Sequence, residues 1–246
     1  MRWWYAIPVL LALVSPALGY IEEGRVNWDQ MEDTNNAQPA IAACGSEVWV
    51  VWLRSGYEGS GWYYTRWEGD GWAHEQELNP GSSSGSGKYW LRIAMDDSAA
   101  PHVAWAEYDN SRLQLFYSRW IGDGWTPAEQ LTFDARDHYA PDLAVSPNGV
   151  PCVVWTQHNP QTGLFDIWSA FRGPDGWNAP EAVEPDGDIV DWDPSVAWGP
   201  GGTIHVVWHR YASAGDQDIC FAVRDSAWSA PGYLTRTVDE YEQLPR

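Results

Sequence analysis

Pro101-His-Val-Ala-Trp105, Pro151-Cys-Val-Val-Trp155 and Ile204-His-Val-Val-Trp208 are three versions of one phrase, and Glu47-Val-Trp-Val-Val-Trp52 is a fourth. Their closing tryptophans stand 53, 50 and 53 residues apart. A second tryptophan follows each one, at Trp72, Trp125, Trp177 and Trp228, after 20, 20, 22 and 20 residues. Six residues further on comes an aliphatic side chain every time: Leu78, Leu131, Val183 and Leu234. Upstream, Pro39, Pro141 and Pro194 precede the first tryptophan by 13 or 14 positions, and Leu91 takes that place in the second copy. Such regular self-similarity marks a repeat architecture, in which each unit buries its faces only against its neighbours.

Each copy reads as four strands. The first is short and apolar: Ala40–Ala43, Leu91–Ala94, Asp142–Val145 and Ser195–Trp198. Tight turns follow, such as Ser146-Pro-Asn-Gly149 and Gly199-Pro-Gly-Gly202, with the Pro and Gly that turn geometry favours. The second strand is the Val/Trp run, whose near-continuous apolar character implies burial on both faces. The third alternates, as in Trp62–Arg66 and Leu115–Arg119, and the fourth is polar, as in Trp125–Leu131. No stretch has helical spacing. Polarity rising along the unit is the order of an inner-to-outer blade, so the fold class is all-β, a β-propeller of four-stranded antiparallel blades. An open array of β-sandwiches is the alternative.

The boundaries follow from the marks. Residues 37–80, 81–133, 134–185 and 186–236 make four blades. Residues 20–36 stand where an outermost strand and its loop would, and 237–246 begin a fifth copy, since Pro245 lies 51 residues after Pro194. Four complete blades with these flanks predict a truncated ring of six or seven blades. Residues 1–19 read as a signal peptide: Arg2, an apolar run from Trp3 to Val14 that is short for a bilayer, then Ala17-Leu18-Gly19. An uncleaved anchor is the alternative. The expected location is therefore extracellular or periplasmic, with no membrane insertion of the mature chain.

Composition narrows the partners. The formal net charge is −20, which repels phosphate backbones and anionic headgroups, so nucleic acid is excluded. Cys44, Cys152 and Cys220 are too few and too scattered for a disulfide framework, and no metal-ligand spacing is present. No cofactor is implied. Asp186, Asp188, Asp191 and Asp193 could offer oxygens to Ca²⁺, but they lack the EF-hand pattern and read better as acidic turns.

The turns before the second tryptophan carry a resemblance. Thr65-Arg-Trp-Glu-Gly69-Asp-Gly-Trp72 and Ser118-Arg-Trp-Ile-Gly122-Asp-Gly-Trp125 resemble the Asp-box, or BNR repeat, of sialidase-like propellers. The Ser/Thr, Gly and aromatic places match, while Trp67 and Trp120 replace the Asp. The resemblance covers all four copies at the level of blade pattern. It implies the propeller fold, and it implies that this turn lies on the face away from the family's active site.

The opposite face gathers the loops between blades and those between second and third strands. Arg54, Glu107, Gln157 and Arg210 all stand two places after the second-strand tryptophan. A framework that repeats under a rim that varies is how a site is grafted on a scaffold, and drift on unused loops gives the same pattern. The ligand-binding candidates are Arg54, Tyr57, Glu107, Tyr108, Asp137, His138, Tyr139, Gln157, Trp192 and Arg210. Flat aromatic faces suit sugar rings, so a binding or interaction module for a glycan or an extracellular protein is expected. The alternative is a sialidase-type exo-glycoside hydrolase with part of its site on missing blades. Such enzymes use a Tyr nucleophile and grip the sugar carboxylate with arginines. The resemblance then offers Arg92, in Leu91-Arg-Ile-Ala94, with Glu107 and Tyr211 as catalytic candidates.

Overall fold

A computed structural model describes residues 35–56, 59–78, 87–109, 111–184, 189–211 and 217–235. Residues 1–19, 20–34 and 237–246, for which a signal peptide, an outer strand and a fifth blade are expected, lie outside the described residues. So do Tyr57, Asp186 and Asp188.

Four antiparallel sheets follow one another along the chain. The first has β1 (Asn35–Cys44), β2 (Glu47–Gly56), β3 (Gly59–Arg66) and β4 (Gln76–Leu78). The second has β5 (Lys88–Met95), β6 (Pro101–Asp109), β7 (Arg112–Arg119) and β8 (Glu129–Gln130). In the third, β9 (His138–Val145) and β10 (Pro151–His158) precede β11 (Phe165–Gly173), which pairs with both β12 (Gly176–Trp177) and β13 (Glu181–Ala182). The fourth has β14 (Val190–Trp198), β15 (Ile204–Tyr211), β16 (Gln217–Arg224) and β17 (Gly232–Tyr233). The first strands line the inside: β1 packs on β5, β5 on β9 and β9 on β14. Among the described residues no comparable packing joins β14 back to β1. This is the β-propeller arrangement expected from the repeats, and one turn of 3₁₀ helix at Pro200–Gly202 is the only helix among the described residues.

The tryptophan marks are the joints between blades. Trp49, Val51, Trp62 and Tyr64 of blade 1 close on Leu91, Val103 and Trp105 of blade 2, and the other two joints are built the same way. In blades 2, 3 and 4 the second tryptophan reaches back to the preceding blade. Trp125 lies 5.7 Å edge-on to Tyr64 and Trp177 lies 5.1 Å edge-on to Tyr117. Trp228 donates its indole N–H to Ser169 Oγ at 3.1 Å. The repeated third-strand arginines add a polar clasp: Arg172 forks onto Glu129 of blade 2 at 2.8 and 2.9 Å, and Arg224 meets Glu181 of blade 3 at 2.8 Å. The turn before the second tryptophan is locked by its first residue. Thr65 Oγ1 donates to the Ala73 carbonyl and Ser118 Oγ to that of Thr126, both at 2.7 Å, while Gly69 and Gly122 take φ of 98° and 100°.

Two expectations are corrected. The inner strands were read as starting after the proline mark, yet β1, β5, β9 and β14 begin three to four residues before it. A bulge lets them through. The residue before each mark, Gln38, Trp90, Ala140 and Asp193, has φ of 52°, 53°, 45° and 56°, and the pairing register shifts there in all four blades. In blades 1, 3 and 4 the marking proline has no N–H to give the ladder at the skipped step, and in blade 2 Leu91 sits in the same bulge. His102 and His205 hold the same second-strand place in the sequence, which leads to the expectation that both are core residues; His102 is buried, but His205 is exposed, because it points away from blade 3. It keeps a 3.1 Å contact with Thr203 Oγ1. Cys152 is a buried filler at 0 % exposure, and burial pushes its thiol up, out of reach of ionisation.

Burial also sets a pH dependence. His102, His138 and His209 are all buried, and the loss of hydration pushes each below the ordinary imidazole value, against the pull of neighbouring Asp96, Asp134, and Asp191 with Asp193. The unfolded chain therefore binds these protons first. The stability they contribute is complete above about pH 6.5 and is lost as the pH falls below it, by up to about 1.4 kcal/mol per unit for each histidine. Burial shifts Asp142 upward, and it works in the opposite sense. Denaturant midpoints from pH 7.5 to 5 should fall, and His209→Gln should flatten the slope. A midpoint independent of pH across that window would contradict the assignment.

Candidate functional site

One end of the sheets carries the starts of the inner strands and the ends of the second strands. Pairing puts the same two places side by side in every blade: Asn36 with Arg54, Lys88 with Glu107, His138 with Gln157, and Asp191 with Arg210. These pairs form a polar tier, and apart from blade 1 it is largely buried. Arg54 folds down over the Tyr63 ring, 4.0 Å from its centroid, to meet Glu75 at 2.6 Å. Glu107, at 0 % exposure, receives Lys88 at 3.3 Å and the Trp105 indole N–H at 3.1 Å. His138 meets Asp134 at 3.1 Å, and Gln157 is buried between His138 and Asp166. Arg210 holds Asp191 with two bonds of 2.8 and 2.7 Å and Glu184 with a third of 2.8 Å. Burial opposes its charge, but the Asp191 and Tyr233 hydrogen bonds and the Glu184 charge outweigh that and keep it protonated.

The next place along each inner strand points the other way, as alternation requires. It holds Tyr89, Tyr139 and Trp192 in blades 2, 3 and 4. Their rings, with four more, make a continuous ribbon. Tyr108 meets Tyr89 at 6.0 Å, Tyr89 meets Trp90 at 5.6 Å and Trp90 meets Tyr139 at 6.1 Å. Tyr139 meets Trp192 at 5.4 Å and Phe165 at 5.8 Å, and Phe165 lies edge-on to Trp192 at 4.6 Å and tilted against His158 at 5.1 Å. Tyr89 and Tyr108 are exposed and the remaining rings are half-buried. The bulge makes the ribbon possible. A left-handed backbone is costly for a residue as large as Trp90, and here it turns that ring into the gap between Tyr89 and Tyr139. The freed Trp90 N–H is taken by Gln38 Oε1 at 2.7 Å.

The sequence candidates are thus distributed over two tiers and their surroundings. Tyr108, Tyr139 and Trp192 belong to the ribbon. Arg54, Glu107, His138, Gln157 and Arg210 belong to the tier beneath. Asp137 anchors the loop ahead of β9 by accepting from Leu113 N at 2.9 Å and Arg112 at 3.0 Å. Arg92 lies further along the inner strand, 3.6 Å from Asp142, whose other oxygen accepts from Ser195 and from Val196 N in blade 4. Tyr211 is exposed at the end of β15, edge-on to His209 at 5.0 Å. It stands two blades away from Glu107, and no contact joins the pair among the described residues. Asp191 is committed to Arg210, and no group of three His, Cys, Asp or Glu side chains among the described residues is arranged to hold a metal ion. No described helix is long and apolar enough to cross a membrane. Phe165 and His158 were missed by sequence reasoning. Tyr89 and Trp90 stand in the sequence among the aromatics beside the candidate loops, and Tyr89 precedes Leu91 by two places, as Tyr139 precedes Pro141 and Trp192 precedes Pro194.

Three consecutive inner strands presenting one aromatic rim is the setting in which similarity to known structures can be weighed. Solved structures of the same fold exist. A protein of unknown function from Dyadobacter fermentans superposes with a TM-score of 0.61 at 12 % identity, over 82 % of this chain and 70 % of that one. An α-L-arabinanase from Penicillium chrysogenum, solved with arabinobiose, gives 0.61 at 10 % identity over 81 % and 66 %. The Hadza microbial sialidase gives 0.58 at 11 % identity over 80 % of this chain, which spans 46 % of the enzyme. Identity this low speaks for the fold alone. No family model matches the sequence, and no curated protein does.

Proposed function

We propose that this is an exported β-propeller that binds glycan chains on its aromatic ribbon and does not cleave them. The observation that carries the reading is the row Tyr89–Trp90–Tyr139–Trp192, contiguous over three blades. Sugar rings present C–H faces that lie against aromatic rings, and the hydroxyls around them find Asp and Asn acceptors nearby. Two of the neighbouring structures are sugar-acting enzymes by name, a sialidase and an arabinanase, which agrees with a carbohydrate ligand. The apolar segment near the N-terminus supports export.

Hydrolysis finds less support. A pair of carboxyl groups flanking a bond, or a Tyr with a carboxylate partner, must meet in one place. Glu107 is buried under Lys88 and Trp105, and Tyr211 lies away from it. Affinity electrophoresis through gels cast with a panel of soluble polysaccharides tests the proposal. Retardation by at least one glycan is expected, with no release of reducing sugar or of a fluorophore from the corresponding glycoside. Turnover that is lost in Glu107→Gln would overturn the binding-only reading.

A further inference from the structure

The same site points to the charge class of its ligand. Recognition of an acidic sugar, whether a sialic acid or a uronate, rests on a guanidinium or ammonium with donors to spare for the carboxylate. Every cation at this end of the described sheets already closes on a carboxylate of the protein. Arg54 takes Glu75 at 2.6 Å, Lys88 takes Glu107 at 3.3 Å and Arg112 takes Asp137 at 3.0 Å. Arg136 reaches Asp134 at 3.6 Å, Arg210 is shared by Asp191 and Glu184, and Arg92 nearer the axis faces Asp142 at 3.6 Å. Arg119, for which no such partner stands out, is at the end of β7 and so at the opposite edge of the blade. Beyond contact range, a chain of net charge −20 repels a polyanion as it approaches.

The ribbon itself offers aromatic faces. The ribbon crosses three blades rather than closing around a single point, so it matches the face of a run of sugars. Resting on the glycan-binding reading above, we infer that the ligand is an uncharged polysaccharide chain, and that carboxylated glycans are rejected. The rejection comes from charge already in place: beside each of these cations an incoming carboxylate meets the like charge of the protein carboxylate that the cation faces.

Matched gels distinguish the outcomes. One arm holds neutral xylan, linear arabinan, β-glucan or hydroxyethylcellulose. The other holds polygalacturonate, polysialic acid or carboxymethylcellulose, which pairs with hydroxyethylcellulose on a common backbone. Retardation in a neutral gel is expected to change less than twofold between 20 and 500 mM NaCl, because no ion pair forms across the contact, and to disappear in Tyr139→Ala. Anionic gels should give no retardation. Stronger retardation by an anionic gel, weakening as salt rises, would overturn the charge-class inference and leave glycan binding standing. A folded protein retarded by no gel in either arm would overturn both.

Discussion

Replacing Arg210 with methionine should lower the melting temperature by roughly 6–20 °C. The guanidinium sits at 3 % exposure between Asp191 and Glu184, each at 0 %, and it supplies all three of the short bonds that join them across the start of blade 4. Methionine fills a similar volume but leaves two buried carboxylates facing each other with no cation. Breaking a buried ion pair from one side costs about 3–5 kcal/mol, and each kcal/mol is worth about 2–4 °C in a domain of this size. Arg210→Lys should recover only part of the loss, because one ammonium cannot reproduce the fork onto Asp191. Removing the carboxylates as well, in Arg210→Met with Asp191→Leu and Glu184→Gln, should restore much of the stability. Thermal melts followed by circular dichroism check this, and an Arg210→Met variant melting within 2 °C of wild type would sink the account of the tier.

The second large effect is on ligand binding. Trp192→Ala and Tyr139→Ala should each weaken glycan affinity by about thirtyfold or more, the loss of about 2 kcal/mol that a central aromatic anchor carries. Tyr139 touches Trp90, Trp192 and Phe165, so its removal breaks the ribbon in the middle. Tyr139→Phe keeps the ring and should keep most of the affinity. Tyr211→Ala removes an exposed ring that contacts His209 and lies off the ribbon, and should change affinity less than twofold. Isothermal titration with the glycan found by electrophoresis reads all four. Equal losses in Tyr211→Ala and Trp192→Ala would deny the ribbon its role.

The fold was legible because its joints are made of tryptophan, a bulky residue that recurs at fixed offsets. A tryptophan wedge needs the same offset from its strand in every blade, so Trp52, Trp105, Trp155 and Trp208 keep time through the chain. Buried fillers such as Cys152 follow from the same frame. The inner-strand starts were harder to read. Pro39, Pro141 and Pro194 looked like the beginnings of strands, whereas the left-handed residue before each lets pairing continue past them. Local rules see the proline and miss the bulge, because the bulge is held by bonds to other blades, such as Trp90 N–H to Gln38 and Asp193 N–H to Thr156 at 3.2 Å.

The site was legible in part for a related reason. Variation at the place two residues past the second-strand tryptophan marked Arg54, Glu107, Gln157 and Arg210 as a set, and they are one tier. The commitment of Arg54 and Arg210 to internal partners depends on side chains 18 to 26 places away, Asn36 and Glu75 for Arg54 and Asp191 and Glu184 for Arg210, and spacing from the tryptophan mark does not reveal it. The ribbon one step further along the inner strand is written in the sequence as Tyr89, Tyr139 and Trp192. It becomes visible only when strand alternation separates it from the buried neighbours Lys88, His138 and Asp191.

Fluorine NMR on protein labelled with 5-fluorotryptophan addresses the ribbon directly, since the tryptophans of the blade joints and those of the rim report separately. Single Trp→Phe variants assign the resonances of Trp90, Trp192, Trp105, Trp155 and Trp208. Titration with the bound neutral glycan should move Trp90 and Trp192 and leave the three buried second-strand tryptophans in place. Movement confined to Trp72, Trp125, Trp177 or Trp228, at the opposite edge of the blades, would contradict the assignment of the binding surface.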